Sequence, residues 1–302
     1  MTLPRPLARR RRVILNTDAK NEADDQYAIV HALLSPSLDM RGIIPAHFGL
    51  RPGRSQTSME DSRAEVDLIL GYMQLSDSIR VENGAAHALP DITTPVPSPG
   101  ADLIVEEAMR DNAGPLYVAF LGPLTDMASA LLIEPRIAER NVTVVWIGGP
   151  PYDGSTPAYW PEFNLSNDVI AANLVFGSKL AVWQVPMSTY VMVAVTYAEL
   201  EEKVAPCGEL GAYLVRQLIE WNEQQSGQPM EYRSLGDSPA IGLLINPFCG
   251  RFAERPAPGF AYDCTYDLNV THRPIRVYET IDARFILEDF FAKLRRFAAH
   301  SA

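Results

Sequence analysis

Cysteine is scarce in this chain. Cys207, Cys249 and Cys264 are the three among 302 residues, and no C-x-x-C pair occurs. An odd count without paired spacing argues against a disulfide framework and against a cysteine zinc site, so buried, reduced thiols are expected. Long apolar runs are missing too. No stretch approaches the roughly 18 apolar residues of a membrane span. The start, MTLPRPLARRRR, leads only into a short apolar run at 13–15 and then Asn16, so the h-region of a secretory signal is lacking. A cytoplasmic protein without a membrane partner is the expectation. Basic residues are in deficit: 26 Lys and Arg face 37 Asp and Glu, a formal charge of −11 that repels phosphate backbones and excludes nucleic acid as the main partner. The one basic run, residues 9–12, reads as part of a flexible, solvated tail over 1–12. No G-x-G-x-x-G, P-loop or Ser-His-Asp order is present, which removes the common dinucleotide, nucleotide and serine-hydrolase readings.

What the chain does have is alternation. Short β-like runs lie at 13–17, 41–46, 116–122, 142–149 and 180–185. Several are apolar on both faces, as central parallel strands are when helices cover both sides of a sheet. Amphipathic stretches lie between them at about 24–35, 57–75, 101–112, 124–133 and 167–177, with Asp102 as a start signal and Asn112 with Gly114 as stops. The pattern predicts an α/β fold with a doubly wound, mostly parallel sheet and helices on both faces. The Pro-rich segment 89–100 reads as a surface loop. Later, 197–224, 238–245 and 286–299 look helical, and 260–268 with 273–279 look like a pair of strands. Residues 13–302 are read as one domain, with an irregular cap toward the C-terminus.

The most informative segment runs from Asn16 to Ala28, N-T-D-A-K-N-E-A-D-D-Q-Y-A. It follows the first strand and enters the first helix, where ligands bind in an open α/β sheet. Asp18, Glu22, Asp24 and Asp25 repel one another, and Lys20 is their one cation. Two partners can offset this: a helix N-terminus, worth about 0.3–1 kcal/mol per charge, or a hard divalent cation such as Ca²⁺, which takes six to eight oxygens. One of the adjacent aspartates can hold metal while the other faces a substrate. The structural alternative is that Asp24 or Asp25 caps the helix and Asp18 is a turn residue.

At this point the chain resembles the inosine–uridine nucleoside hydrolase family, whose acidic D-x-D-x-x-x-D-D motif follows the first strand. Three further segments are similar: GPLTDMASALLIEP (122–135) to a G-P-L-T-N-x-A segment, VVWIGGPPYDGSTPAYWPEFNLSND (144–168) to a stretch from a Gly-Gly turn to E-F-N, and GDSPAIGLLINP (236–247) to a late Asp-Pro segment. The resemblance spans about 13–250, in order. It implies Ca²⁺-dependent hydrolysis of the N-glycosidic bond of a ribonucleoside, and a homo-oligomer, dimer or tetramer. Carried over by motif, Asp18 is a metal ligand and general base, Asp25 a bidentate ligand, Thr125 a ligand through its carbonyl, and Asp237 the distant ligand. Asp24, Glu162 and Asn164 hydrogen-bond the sugar. Alternation along an extended segment would put Glu162 and Asn164 on one face and Phe163 on the other. These residue types suit the chemistry, because carboxylates stabilise an oxocarbenium-like transition state and a metal acidifies and positions water.

Departures from the motif concentrate on the leaving group. Five residues, not three, separate Asp18 from Asp24, so 19–23 is a longer loop that can bring Asn21 or Glu22 into the site. Asn16 stands where the motif has Asp. Gly236 stands where many members have a His that assists the departing base. His47-Phe48-Gly49 replaces an Asn after the second strand, and Ser155 stands where Asn is expected. His47 is a candidate for substrate or leaving-group contact, or an ordinary loop residue. Trp160 is a candidate to stack on a nucleobase, or a loop aromatic packed on the domain. Two rival functions stay open: a non-catalytic ribosyl- or sugar-binding protein, and a hydrolase of a non-nucleoside riboside.

Overall fold

The structure is a computed structural model, and it describes residues 10–49, 57–155, 157–225 and 229–301. The first half alternates. β1 (Arg11–Thr17) leads to α1 (Asp25–Leu33), β2 (Leu38–Pro45), α2 (Ser58–Tyr72), α3 (Pro99–Met109), β3 (Leu116–Phe120), α4 (Thr125–Ile133) and β4 (Val142–Ile147). Then come α5 (Phe163–Asn167), α6 (Val169–Gly177) and β5 (Ala181–Val185). The second half is more helical: α7 (Met187–Tyr190), β6 (Ala194–Thr196), α8 (Tyr197–Lys203), α9 (Gly208–Gln225), β7 (Tyr232–Ser234) and α10 (Ser238–Ile245). A long hairpin, β8 (Gly250–Phe260) and β9 (Tyr266–Ile281), and α11 (Ala283–Ser301) close the chain.

The main sheet has the order β2-β1-β3-β4-β5-β9-β8. All its pairings are parallel except β8 with β9. Alternate side chains of each central strand feed opposite cores, as the pleat requires. Val13, Leu15, Val145 and Ile147 enter one core, with α1, α2, α9, α10 and α11. Ile14, Val144 and Trp146 enter the other, with α3, α4 and α6. Both faces are therefore covered, and the expected doubly wound α/β fold is observed. Trp146 anchors the second core, with Phe176 and Phe260 edge-on to it. Truncating a side chain so buried costs about 3–5 kcal/mol. The chain passes from β1 out to β2 and returns to β3 on the other side of β1. That reversal opens a crevice beyond the carboxyl ends of β1 and β3.

Several boundaries differ from the sequence reading. The tail assigned to 1–12 ends earlier: residues 1–9 lie outside the described residues, but β1 begins at Arg11. Arg11 donates to the Leu244 carbonyl at 2.6 Å and Arg12 to Glu107 at 2.6 Å, so partners in the fold, not solvent, take these charges. The helix expected at 167–177 is α6, which starts two residues later, at Val169, because Asp168 caps it by accepting from Ala171 N at 2.8 Å. α3 starts at Pro99 with Ser98 as its cap, three residues ahead of the Asp102 signal. The two late strands are longer than their alternating cores and turn at 261–265, where the Ala261 amide reaches the Thr265 carbonyl at 3.0 Å. The small β6–β7 sheet carries no sequence signal, since three residues show no period.

Candidate functional site

Asp18 lies one residue beyond β1. Its carbonyl accepts from Asn21 N at 3.1 Å, so the backbone makes the turn while the side chain is free for other work. That carboxyl packs against Gly122 in the turn after β3. A Cβ there would lie 2.8 Å from the Asp18 Cγ, which is why a glycine is needed. Trp146 holds this turn from the core through Nε1 to the Gly122 carbonyl at 3.1 Å.

Asp24 and Asp25 start α1, and Asp237 precedes α10, which packs on α1. Asp24 and Asp237 both occupy N-cap positions, yet neither side chain caps its helix. The capping alternative therefore fails for Asp24. Instead one oxygen each of Asp24, Asp25 and Asp237 lie within 4.8 Å of one another. Thr17 donates its hydroxyl to Asp25. Burial, then the charge of Asp25, pushes the Asp18 carboxyl well up. Burial and then Asp24 push Asp25 up to about 7. Asp237 rises by burial and by Asp24. Two converging helix N-termini give only partial compensation, about 0.3–1 kcal/mol per charge.

These acids face a cavity of about 500 Å³. Among the described residues lining it, Asp18, Glu22, Asp24, Asp25 and Asp237 bring negative charge, and Arg233 is the one cation. Oδ2 of Asp18 is buried with no hydrogen-bond partner. An orphaned carboxylate oxygen beside a tight trio of carboxylates is the donor set of a hard divalent cation, which satisfies all of them at once. The residues present fit such an ion.

The longer loop 19–23 is docked rather than loose. Trp221 Nε1 donates to the Asn21 carbonyl at 3.0 Å, and Gln217 to the Ala23 carbonyl at 2.9 Å. Lys20 adopts φ 81° and reaches Glu65 at 3.3 Å. Glu22 pairs with Arg233 of β7. Asn21 and Glu22 thus both line the cavity, as the extra residues suggested.

The other expected residues divide. Asn164 lines the cavity, its amide donating to the Leu121 and Ile147 carbonyls at 2.5 and 2.9 Å. Trp160 is half-exposed at the cavity wall. Glu162 is fully buried and does not line the cavity. It caps α5, accepting from Gly149 N and Leu165 N at 2.9 Å and Asn164 N at 3.3 Å. The extended face proposed for Glu162 and Asn164 is therefore replaced by a helix start, and it is Phe163 that faces the cavity. Glu162 connects to the cavity through Tyr190, whose hydroxyl donates to it at 3.0 Å, and through Tyr159, which bonds Tyr190.

Thr125 and His47 do not line the cavity. Thr125 begins α4 and donates its hydroxyl to Asp168 at 2.7 Å. It thus accepts from His47 Nε2 at 2.8 Å, while His47 Nδ1 accepts from Gly49 N at 3.2 Å. The ring is neutral, because burial, with His87 nearby, pushes its pKa down to about 4. His47 braces Thr125 and is walled off from the cavity. Gly236 leaves space that the Tyr190 ring fills, since a Cβ there would lie 3.0 Å from that ring.

The structure accounts for Asn16. Its amide donates to Asp126 Oδ2 at 2.9 Å, and both residues are buried. The family motifs have Asp at the first position and Asn at the second, so the two residue types are exchanged in this chain across one hydrogen bond. Asp126 also accepts from Ala85 N at 2.8 Å and Ser98 at 2.7 Å.

Sequence reasoning missed Arg233, Trp221, Tyr159, Tyr190 and Phe163 as cavity residues. Only Phe163 and Tyr159 lay beside a quoted motif.

The sequence profile of the family described as inosine-uridine preferring nucleoside hydrolase matches residues 13–284. The chain belongs to that family. Among curated relatives, the pyrimidine-specific ribonucleoside hydrolase RihA of Escherichia coli K12 is 28% identical over 173 residues, 53% of this chain and 55% of RihA. The RihA of Shigella flexneri serotype 5b matches equally. The chain thus spans about half the length of the curated nucleoside hydrolases it matches. The fold is also that of solved nucleoside hydrolases. A purine-preferring ribonucleoside hydrolase from Gardnerella vaginalis superposes with TM-score 0.77 at 19% identity, over 95% of this chain and 99% of that one. The plant nucleoside hydrolase PpNRh1 gives 0.74 at 20%, over 94% and 99%.

Proposed function

We propose that the protein hydrolyses the N-glycosidic bond of a ribonucleoside, releasing base and ribose, with Ca²⁺ as its metal. The observation that carries this reading is the meeting of Asp18, Asp24 and Asp25 with Asp237, from far along the chain, around one buried cavity. Asp18, Asp25 and Asp237 would hold the ion, and Thr125, which does not line the cavity, is left out of that set. When bound, it acidifies a water and fixes a sugar diol. Asp18, with an oxygen lacking any protein partner, takes the proton of the attacking water. Asp24 and Asn164 hold the sugar hydroxyls at the cavity floor. The remaining negative charge favours the oxocarbenium-like transition state over the neutral ground state.

Glu162 acts at one remove. Because it accepts from three backbone amides, Tyr190 donates to it and Tyr159 to Tyr190, which leaves the Tyr159 oxygen as an acceptor for a substrate hydroxyl or amine. Trp160 supplies an aromatic face, and stacking on one base is worth about 1–3 kcal/mol. The named relatives include pyrimidine-specific and purine-preferring enzymes, so base preference follows this chain's own loops.

The test is release of purine or pyrimidine from a nucleoside panel, with calcium and after chelation. Calcium-dependent release supports the reading. Calcium binding without turnover of any nucleoside sinks the substrate claim. Release of ribose from other ribosides alone would favour the non-nucleoside alternative, in which the longer 19–23 loop reads another aglycone.

A further inference from the structure

An N-glycosidic bond breaks with its electron pair moving to the base, so negative charge grows on the leaving heterocycle. Some group has to meet that charge. At the expected place, position 236 holds glycine, and the ring of Tyr190 fills the space. The nearby phenols are committed elsewhere: Tyr190 donates its proton to Glu162 and Tyr159 donates its own to Tyr190. His47 is walled off behind Thr125.

Arg233 is what remains. It is the one cation among the described residues lining the cavity. Three residues of two segments hold it: Glu22 from the loop after β1, and from α9 Asn222 through Nη1 at 3.3 Å and the ring of Trp221, 4.0 Å from the guanidinium. Asn222 is fixed in turn by donating to Tyr197 at 2.8 Å and to the Tyr232 carbonyl at 3.1 Å. Arg233 Nε is buried and lacks a partner. Position 236, three residues on, borders Asp24, where a Cβ would lie 3.3 Å from Oδ2. A partly unsatisfied guanidinium therefore lines the same cavity as Asp24, the residue that would hold the sugar.

We propose that Arg233 is the catalytic residue of the leaving-group side, binding the departing base as an anion without protonating it. This rests on the hydrolase reading above. The C1′–N bond breaks and its electron pair stays on the base nitrogen. The water oxygen bonds to C1′, and its proton goes to Asp18. The base then takes a proton from solvent. Arg233 supplies charge and N–H donors and transfers no proton in this step.

The test compares a nucleoside with p-nitrophenyl β-D-riboside, whose leaving group is already a stable anion. In R233M, kcat/KM for the nucleoside is expected to fall about 100-fold or more while that for the aryl riboside changes by less than about 5-fold, the scale of one preorganised donor. The wild-type pH profile is expected to show no basic limb from a proton donor. Equal losses on both substrates mean Arg233 only braces the Glu22 loop, and no loss on either means it does not touch the leaving group; each overturns the proposal. Should R233M fail to fold, R233K keeps the charge but not the fork, and the nucleoside-to-aryl ratio is expected to fall about 10-fold; an unchanged ratio overturns the proposal. Wild-type protein that cleaves the aryl riboside but no nucleoside overturns both this assignment and the nucleoside reading, whereas nucleoside turnover with an unchanged ratio in R233M and R233K removes Arg233 alone.

Discussion

The metal-free protein is expected to lose stability as pH rises toward neutrality, and calcium is expected to restore it. Burial and the charge of Asp24 push Asp25 from 3.8 up to about 7. Between those values the folded carboxyl keeps a proton that the unfolded chain has released. The folded state then binds more protons, so stability falls with rising pH, by about 1.4 kcal/mol per unit for one group. Over about three units that is about 4 kcal/mol, fully felt above about pH 7. Asp18, Asp24 and Asp237 are pushed the same way, so they reinforce the sign. Calcium bound at these carboxylates would displace the protons and add about 2.7 kcal/mol at a hundredfold excess over Kd. Urea unfolding followed by tryptophan fluorescence, at about pH 5 and about pH 7.5, with chelator or with excess calcium, measures all four corners. Chelated protein as stable at the higher pH as at the lower would refute the reasoning. So would calcium leaving the midpoint unchanged at the higher pH.

The exchanged pair offers a double-mutant test. Asn16→Asp alone sets two buried carboxyls against each other at the position of a 2.9 Å hydrogen bond and is expected to cost about 3–5 kcal/mol in urea unfolding; adding Asp126→Asn is expected to recover most of that, and strictly additive losses would argue against the exchange. Gly122→Ala drives a Cβ into the Asp18 carboxyl; about 1–3 kcal/mol of destabilisation and weaker calcium binding by calorimetry are expected, and unchanged binding would place the metal elsewhere. Asp18→Asn is expected to lower kcat about 10²–10⁴-fold by removing the base, whereas Asp237→Ala should mainly raise the calcium concentration needed for activity. Full activity in Asp18→Asn would show that another group takes the proton.

Much of this fold was legible because its central strands are apolar on both faces and bounded by polar turns. β3 and β4 start where the sequence reading placed them, and α10 spans the same residues. The acid cluster was legible in type and place, since four acids within eight residues call for a partner whatever the fold. The rest escaped for a physical reason. Arg233 and Glu22 meet across 211 residues, on a strand of three, where no periodicity marks the place. Glu162 escaped differently. Reading W-P-E-F-N as extended put its side chain in the open, but an acid followed by free helix amides is a better cap than a sugar ligand, and it turned inward.

The two halves of the cavity are held by different kinds of structure, and this sets what can vary. Asp18 and Gly122 sit at the ends of sheet strands braced by Trp146, and Asp24, Asp25 and Asp237 on the first turns of two packed helices. Moving any of these by an ångström disturbs a close-packed core. The side proposed to meet the leaving group is Trp160 on a loop, Trp221 on α9, and Tyr232 and Arg233 on a strand of three residues joined to α9 by side-chain contacts. These positions can change without disturbing the sheet. On the proposed reading, a cation from the neighbouring strand serves where position 236 has no proton-donating side chain, while the residues that would hold the metal stay fixed. The longer 19–23 loop supplies the Glu22 carboxylate that holds that cation in place, which ties two departures from the family motif, an insertion and a missing side chain, to one local arrangement.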